Sequence, residues 1–197
     1  TQLTDHLKTQ APELVAVSGD LVNLALPKEF EAAKNWLENL GPSEQIAVIP
    51  GNHDAYVKDG LESATDQWGD YMKGMTLSDQ QFPFWRQEGC VALIGCSSAI
   101  TTPPFFAHGE FDEAQAERLI EILKLTGDAG LYRIVMIHHP PHADVKQIWR
   151  RGLKGRNLFR KVIKDQGAEL VLHGHLHRSM INPLPGPKGD IPLIGIA

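Results

Sequence analysis

The chain's 197 residues, 42% of them hydrophobic and 22% charged, suit one globular domain with a sizeable core. A net charge of −5 excludes a global basic field for nucleic acid or anionic membrane. No apolar run is long enough to span a bilayer.

Residues 1–10 are polar, unlike a secretory signal, and read as the tail of a helix closed by Pro12. No Met precedes them, and the strand-like run 191–197 ends abruptly. Both natural termini are therefore expected outside residues 1–197, with a cytoplasmic location. Residues 13–18 form a buried strand that runs into Gly19-Asp20. Residues 28–40 form a helix with Phe30, Ala33, Leu37 and Leu40 on one face, stopped by Gly41-Pro42. A short strand, 46–49, ends at Pro50-Gly51. Residues 61–72 are helical but weakly patterned. Residues 84–86 and 90–95 form a hairpin around Gly89. Cys90 and Cys96 fit neither a C-x-x-C pair nor a zinc knuckle and read as reduced core thiols. Pro103-Pro104 makes 97–109 a loop. Asp112 caps a helix carrying Ala116, Leu119, Ile120 and Leu123. A strand at 133–137 ends in His138-His139-Pro140-Pro141. Leu158, Phe159, Val162 and Ile163 mark a helix before Gly167. The strand 170–172 ends in His173-Gly174-His175-Leu176-His177, and 191–196 is a last strand. Alternating helices and near-continuous apolar strands argue an α/β fold with both sheet faces covered.

Four strands thus end in residues that metals favour: Asp20; Asn52, His53 and Asp54; His138 and His139; and His173, His175 and His177. In open α/β sheets ligands bind outside the carboxyl ends of strands, so these groups are expected to converge. Asp, Asn and His together suit divalent Mn, Fe or Zn. Gly19, Gly51 and Gly174 stand directly before would-be ligands, where the backbone turns sharply and side-chain bulk would obstruct. In an extended segment His175 and His177 would point the same way, toward one metal cluster.

Gly19-Asp20, Gly51-Asn52-His53-Asp54, His138 and Gly174-His175-Leu176-His177 resemble the calcineurin-like metallophosphoesterase superfamily, from about Leu14 to the end. Its pattern begins with a D-x-H block, which is absent here; Asp5-His6 has the wrong spacing. The resemblance implies a layered sandwich of mixed β-sheets flanked by helices, one domain over 1–197 whose first strand precedes Thr1. It implies a dinuclear-metal hydrolase in which Asp20 bridges both metals. Asn52, His138 and His175 complete the second site, with His138 the ligand rather than His139. His177 joins Asp20 on the first site, which is incomplete in these residues. His53 is the general acid, oriented by Asp54. Such a pair of metals would activate a bridging hydroxide for in-line attack on phosphorus, and an imidazole would protonate the departing alkoxide.

Other residues admit two readings each. His139 lines the pocket or supports the turn; His173 is a supporting or buried group; His142 touches substrate or lies on a loop surface. His108, with Phe105 and Phe106, sits in a substrate lip or an ordinary connection. The basic run Arg150, Arg151, Lys154, Arg156, Arg160, Lys161 and Lys164 steers anions or is a solvated helix face. Trp68, Trp85 and Trp149 stack a base or are buried. The expected activity is hydrolysis of a small, cyclic-nucleotide-like phosphodiester. The alternatives are a DNA nuclease, which would need a basic groove, and a non-catalytic scaffold, which the missing D-x-H would favour. Pyrophosphatases of lipid A synthesis fit less well, having Arg where His53 stands.

Overall fold

The computed structural model describes residues 2–142 and 148–196. Helix α1 (Gln2–Thr9) precedes strand β1 (Val15–Val17), helix α2 (Pro27–Leu40), strand β2 (Ile46–Val48) and helix α3 (Gly60–Trp68). A 3₁₀ turn (Gly69–Met72) follows, then the hairpin β3 (Phe84–Glu88) and β4 (Val91–Gly95). Next come β5 (Gly109–Glu110), α4 (Glu113–Asp128), β6 (Tyr132–Met136), α5 (Ile148–Arg151), β7 (Leu153–Lys154) and α6 (Arg156–Gln166). Strand β8 (Leu170–His173) and the pair β9 (Met180–Gly186) and β10 (Gly189–Gly195) close the fold. Among the described residues no helix is long and apolar enough to cross a membrane.

Local chemistry sets the helix ends. Pro27 opens α2, where its missing N–H costs nothing, and the Glu29 carboxylate accepts the Leu24 and Leu26 amides at 2.9 and 3.0 Å. Asp112 Oδ1 accepts the Gln115 amide at 2.7 Å, the cap expected for α4.

β1 and β2 form a parallel pair with Val15 opposite Ile46. The larger sheet runs β3-β4-β6-β8-β10-β9, parallel through β4, β6, β8 and β10 and antiparallel at both edges. Three apolar clusters separate four layers. Ala47 and Ile49 meet Phe84, Leu93 and Met136 between the sheets. Phe30, Ala33 and Leu37 of α2, with Ala64 and Trp68 of α3, cover the outer face of β2. Leu119, Ile122 and Leu123 of α4, with Phe159, Val162 and Ile163 of α6, cover β4, β6 and β8. Burial of each such side chain contributes about 1.5–3 kcal/mol, and the result is the layered α/β sandwich of mixed sheets that the sequence implies.

The structure corrects several expectations. β1 is half-buried throughout, whereas β2 is fully buried. Residues 61–72 divide into α3 and the 3₁₀ turn. Cys96 is a core thiol, raised by burial, but Cys90 is exposed at the hairpin tip. The last strand starts two residues early and pairs with β9, which Pro183, Pro185 and Pro187 conceal in the sequence. β9 is an edge strand, where missing amide donors are tolerated.

Below the sheet's far end, Arg133 of β6 fastens three elements. Its side chain donates to both Glu169 oxygens, at 2.8 and 3.0 Å, and to the carbonyls of Leu123 and Gln166. Burial alone would raise Glu169, but the hydrogen bonds and charge of Arg133 outweigh it and hold the carboxyl below the usual 4.5. A lowered carboxyl contributes stability above its unfolded pKa. This contribution is therefore present at neutral pH and lost as pH falls below about 4.5. Glu169→Ala is expected to cost about 1–2 kcal/mol in urea denaturation at pH 7, after solvent screening, and to narrow its deficit to wild type at pH 4.

Candidate metal centre

The carboxyl ends of β1, β2, β6 and β8 are joined by hydrogen bonds across the seam between the two sheets. After β1 the chain turns through Gly19 at φ +96° into Asp20 at φ +59°. A Cβ on Gly19 would stand 2.9 Å from His138 Nδ1, and one on Gly51 would overlap Asp20 Oδ1. Glycine here lets two strand ends and a histidine ring approach one another.

Asp54 holds this crossing together. Its Oδ2 accepts the amides of Asp20 at 2.9 Å and Gly51 at 2.8 Å, and its Oδ1 accepts those of Leu21 at 2.9 Å and Val22 at 3.2 Å. Burial pushes the carboxyl up, the Gly51 amide opposes this, and the charge of Asp20 adds to it. The expected contact with His53 is replaced. His53 donates its backbone N–H to Asp20 Oδ1 at 2.9 Å, and its Nδ1 donates to the Asn23 carbonyl at 2.6 Å. The reason is geometric: the Asp54 carboxylate lies 1% exposed beneath the turn, filled by four amides, while the His53 ring faces a cavity.

The structure brings Asp20, Asn52, His138 and His175 into one cluster. His138 Nδ1 donates to the Ser18 carbonyl at 2.6 Å, so its Nε2 presents a lone pair whenever the ring is neutral. That nitrogen stands 3.2 Å from Asp20 Oδ2 and 3.2 Å from Asn52 Oδ1. Asn52 Oδ1 also lies 2.7 Å from His175 Nδ1, while the Arg151 backbone hydrogen-bonds the His175 ring. Two carbonyl-type oxygens and two imidazole nitrogens thus face one another as acceptors, an arrangement that a divalent cation satisfies. Burial lowers His138, but the hydrogen bond and charge of Asp20 outweigh it and raise the ring overall. Burial, then the charge of His138, lowers His175 to about 4, a neutral ring suited to ligation. Burial would raise Asp20, yet the hydrogen bond and charge of His138 bring it below 3.8.

His138, His139 and His175 carry nitrogens within 4.8 Å of one another, but His139 is already satisfied. Its Nε2 lies 3.2 Å from the Ala107 carbonyl and its Nδ1 2.7 Å from Ser98 Oγ, which in turn accepts the His139 amide at 3.2 Å. With Nε2 protonated and Nδ1 accepting, the ring is neutral and fully bonded. Burial, then the neighbouring His138, keeps it far below the ordinary imidazole value. It supports the turn.

His177 and Asp20 line a cavity of ≈580 Å³ together with His53, Asn23, Glu29 and Trp36. The extended-segment expectation for His175 and His177 fails. Their φ values are +68° and +50°, and the Leu176 amide donates to the Gly174 carbonyl at 2.8 Å. A tight turn, rather than an extended segment, delivers both rings. His173 is buried with Nδ1 on the Gly174 carbonyl. His108 is buried, and His142 is half-buried. Trp68 and Trp85 are core residues, whereas Trp149 is exposed. Sequence reading missed the backbone partners, the carbonyls of Ser18, Asn23 and Ala107. Side-chain identity carries no signal for these.

The family model described as calcineurin-like phosphoesterase matches residues 1–179. A Synechococcus protein named a probable cyclic nucleotide phosphodiesterase is 32% identical over 181 residues. The match covers 89% of this chain and 62% of that protein's length. Among solved structures, a dimetal phosphatase from Danio rerio superposes with a TM-score of 0.76 at 12% identity, covering 98% of this chain and 74% of that one. The sulfate thiohydrolase SoxB of Thermus thermophilus gives 0.57 at 16% identity, over 98% of this chain and 36% of that one.

Proposed function

We propose that this chain, which belongs to the calcineurin-like phosphoesterase family, is a divalent-metal-dependent phosphoester hydrolase with the activity of a phosphodiesterase on a small, cyclic-nucleotide-like substrate. The observation that carries this reading is the convergence of Asp20 Oδ2, Asn52 Oδ1, His138 Nε2 and His175 Nδ1 beside a cavity lined by His53. The name of the Synechococcus relative supports the diester over a monoester.

In this reading Asp20, Asn52, His138 and His175 hold one metal, and Asp20 and His177 contribute to a second. Mn, Fe and Zn all suit the donor set. Bound metals would supply a water that ionises near neutral pH and positive charge against the phosphoryl oxygens. The chain's own residues do the rest. Ser18 fixes the His138 tautomer, and Asp54 fixes the backbone that carries Asp20. Asn23 holds the His53 Nδ1–H, so the imidazolium form of the ring would carry on Nε2 the proton given to the departing alkoxide.

The test is hydrolysis of bis(p-nitrophenyl) phosphate by the full-length protein with added Mn. His175→Ala is expected to lower turnover by at least about 10²-fold, the loss of one ligand's share of metal-borne charge. Unchanged turnover in that variant would sink the reading, as would an inactive wild type.

A further inference from the structure

Two surface segments close over the flank of the metal centre. Residues 97–109 and α5 to β7 are zipped together by the Ala107 amide on the Arg150 carbonyl at 2.8 Å and the Gly109 amide on the Gly152 carbonyl at 3.1 Å. Arg150 Nη2 donates to the Phe105 carbonyl at 3.2 Å. Both segments also reach the histidine cluster, one through His139, whose ring centroid lies 4.6 Å from that of His175, and one at His175 itself. Ala107 offers its carbonyl to His139, and the Arg151 backbone bonds His175. The lip is therefore one or two residues from groups that position the cluster.

Its outer surface is aromatic and positively charged. Phe105 is 83% exposed and Trp149 65% exposed. Phe105 sits at φ +69°, the third position of a turn closed by the Phe106 amide on the Pro103 carbonyl at 3.1 Å, and this turn leaves its ring on the surface. Trp149 packs edge-on to Phe106 with centroids 5.6 Å apart. The Arg150 guanidinium lies 5.5 Å from the Phe106 ring and 5.4 Å from the Trp149 ring, so it holds both and adds charge beside them. Thr102 Oγ1 donates to the Phe106 carbonyl at 2.7 Å and stiffens the loop. Two exposed aromatic faces beside a fixed positive charge, near the histidine cluster, suit one kind of ligand: a planar heteroaromatic ring linked to a phosphate.

We propose that Phe105 and Trp149, braced by Phe106 and Arg150, form a stacking site for the nucleobase of the substrate. The proposal rests on the phosphodiesterase reading above and names the residues that would hold the base of its substrate. Stacking recognises the π-face, so the site takes purines over bare sugar phosphates and discriminates little between bases.

Binding tests it separately from turnover. Adenosine 5′-monophosphate and ribose 5-phosphate share a phosphate and a sugar and differ in the base. Calorimetry on the full-length, Mn-loaded protein is expected to show tighter binding of the nucleotide. Trp149→Ala and Phe105→Ala should each weaken it about ten-fold while leaving ribose 5-phosphate unchanged. Trp149→Phe should restore the nucleotide affinity. Equal affinities for the two ligands, no measurable nucleotide binding, or parallel losses for both in the variants would overturn the proposal. So would octyl phosphate binding better than the nucleotide, which would make the lip a site for aliphatic chains. Failure of the phosphodiesterase reading is read elsewhere, in absent diester turnover by the wild type.

Discussion

Asp54→Asn is expected to destabilise the protein by about 2–6 kcal/mol and to abolish turnover with it. Each Asp54 oxygen accepts two backbone amides. Asparagine keeps one oxygen and turns an NH₂ toward the other two donors, leaving two buried N–H groups unsatisfied at about 1–3 kcal/mol each. The turns that carry Asp20 and Asn52 both hang on this carboxylate, so loss of fold and loss of site arrive together. Urea denaturation at an unchanged m-value measures the first, and diester hydrolysis the second. A stability change below about 1 kcal/mol would show that the amides find other acceptors.

Asp20→Asn should separate the two. The substituted side chain can still accept the His53 amide through Oδ1, and removing one negative charge relieves Asp54, which the charge of Asp20 raises. Stability in chelator is expected within about 1 kcal/mol of wild type. Function should collapse. The one charged oxygen among the four converging acceptors is lost, and diester turnover is expected to fall at least about 10³-fold. The metal response goes too: saturating Mn should stabilise wild type by about 2.7 kcal/mol at 100-fold excess over Kd, and the variant scarcely at all. Thermal unfolding with and without Mn checks this. A variant that keeps the Mn-induced shift would remove Asp20 from the centre.

Much of this was legible in the sequence, for physical reasons that differ by residue. Strand ends carrying Gly-Asp, Gly-Asn-His-Asp and Gly-His-x-His announce themselves because the turn chemistry and the donor chemistry use rare residues at fixed positions. Helices α2, α4 and α6 announce themselves through one-sided apolar spacing. β9 does not, because prolines that usually exclude strands are tolerated at a sheet edge. The role of Asp54 differs for another reason. The resemblance implies that it orients His53, whereas the peptide turn sends the two side chains to different neighbours, one into backbone amides and one toward Asn23. His139 was ambiguous because its satisfaction depends on Ser98 and a carbonyl from a loop far along the chain.

The seam between the two sheets has a consequence for how the protein is made. The contacts that define the centre join Ser18 to His138, 120 residues apart, and Asn52 to His175, 123 residues apart. Such distant pairings form late, after the loops between them have been closed by local helices and hairpins. A chain emerging from the ribosome can bury α2 against β2 long before His175 has been synthesised. It cannot assemble the centre until both halves are present and docked. Capture of a metal at these residues therefore reports that folding is complete, and loaded protein carries its own certificate of having reached the native state.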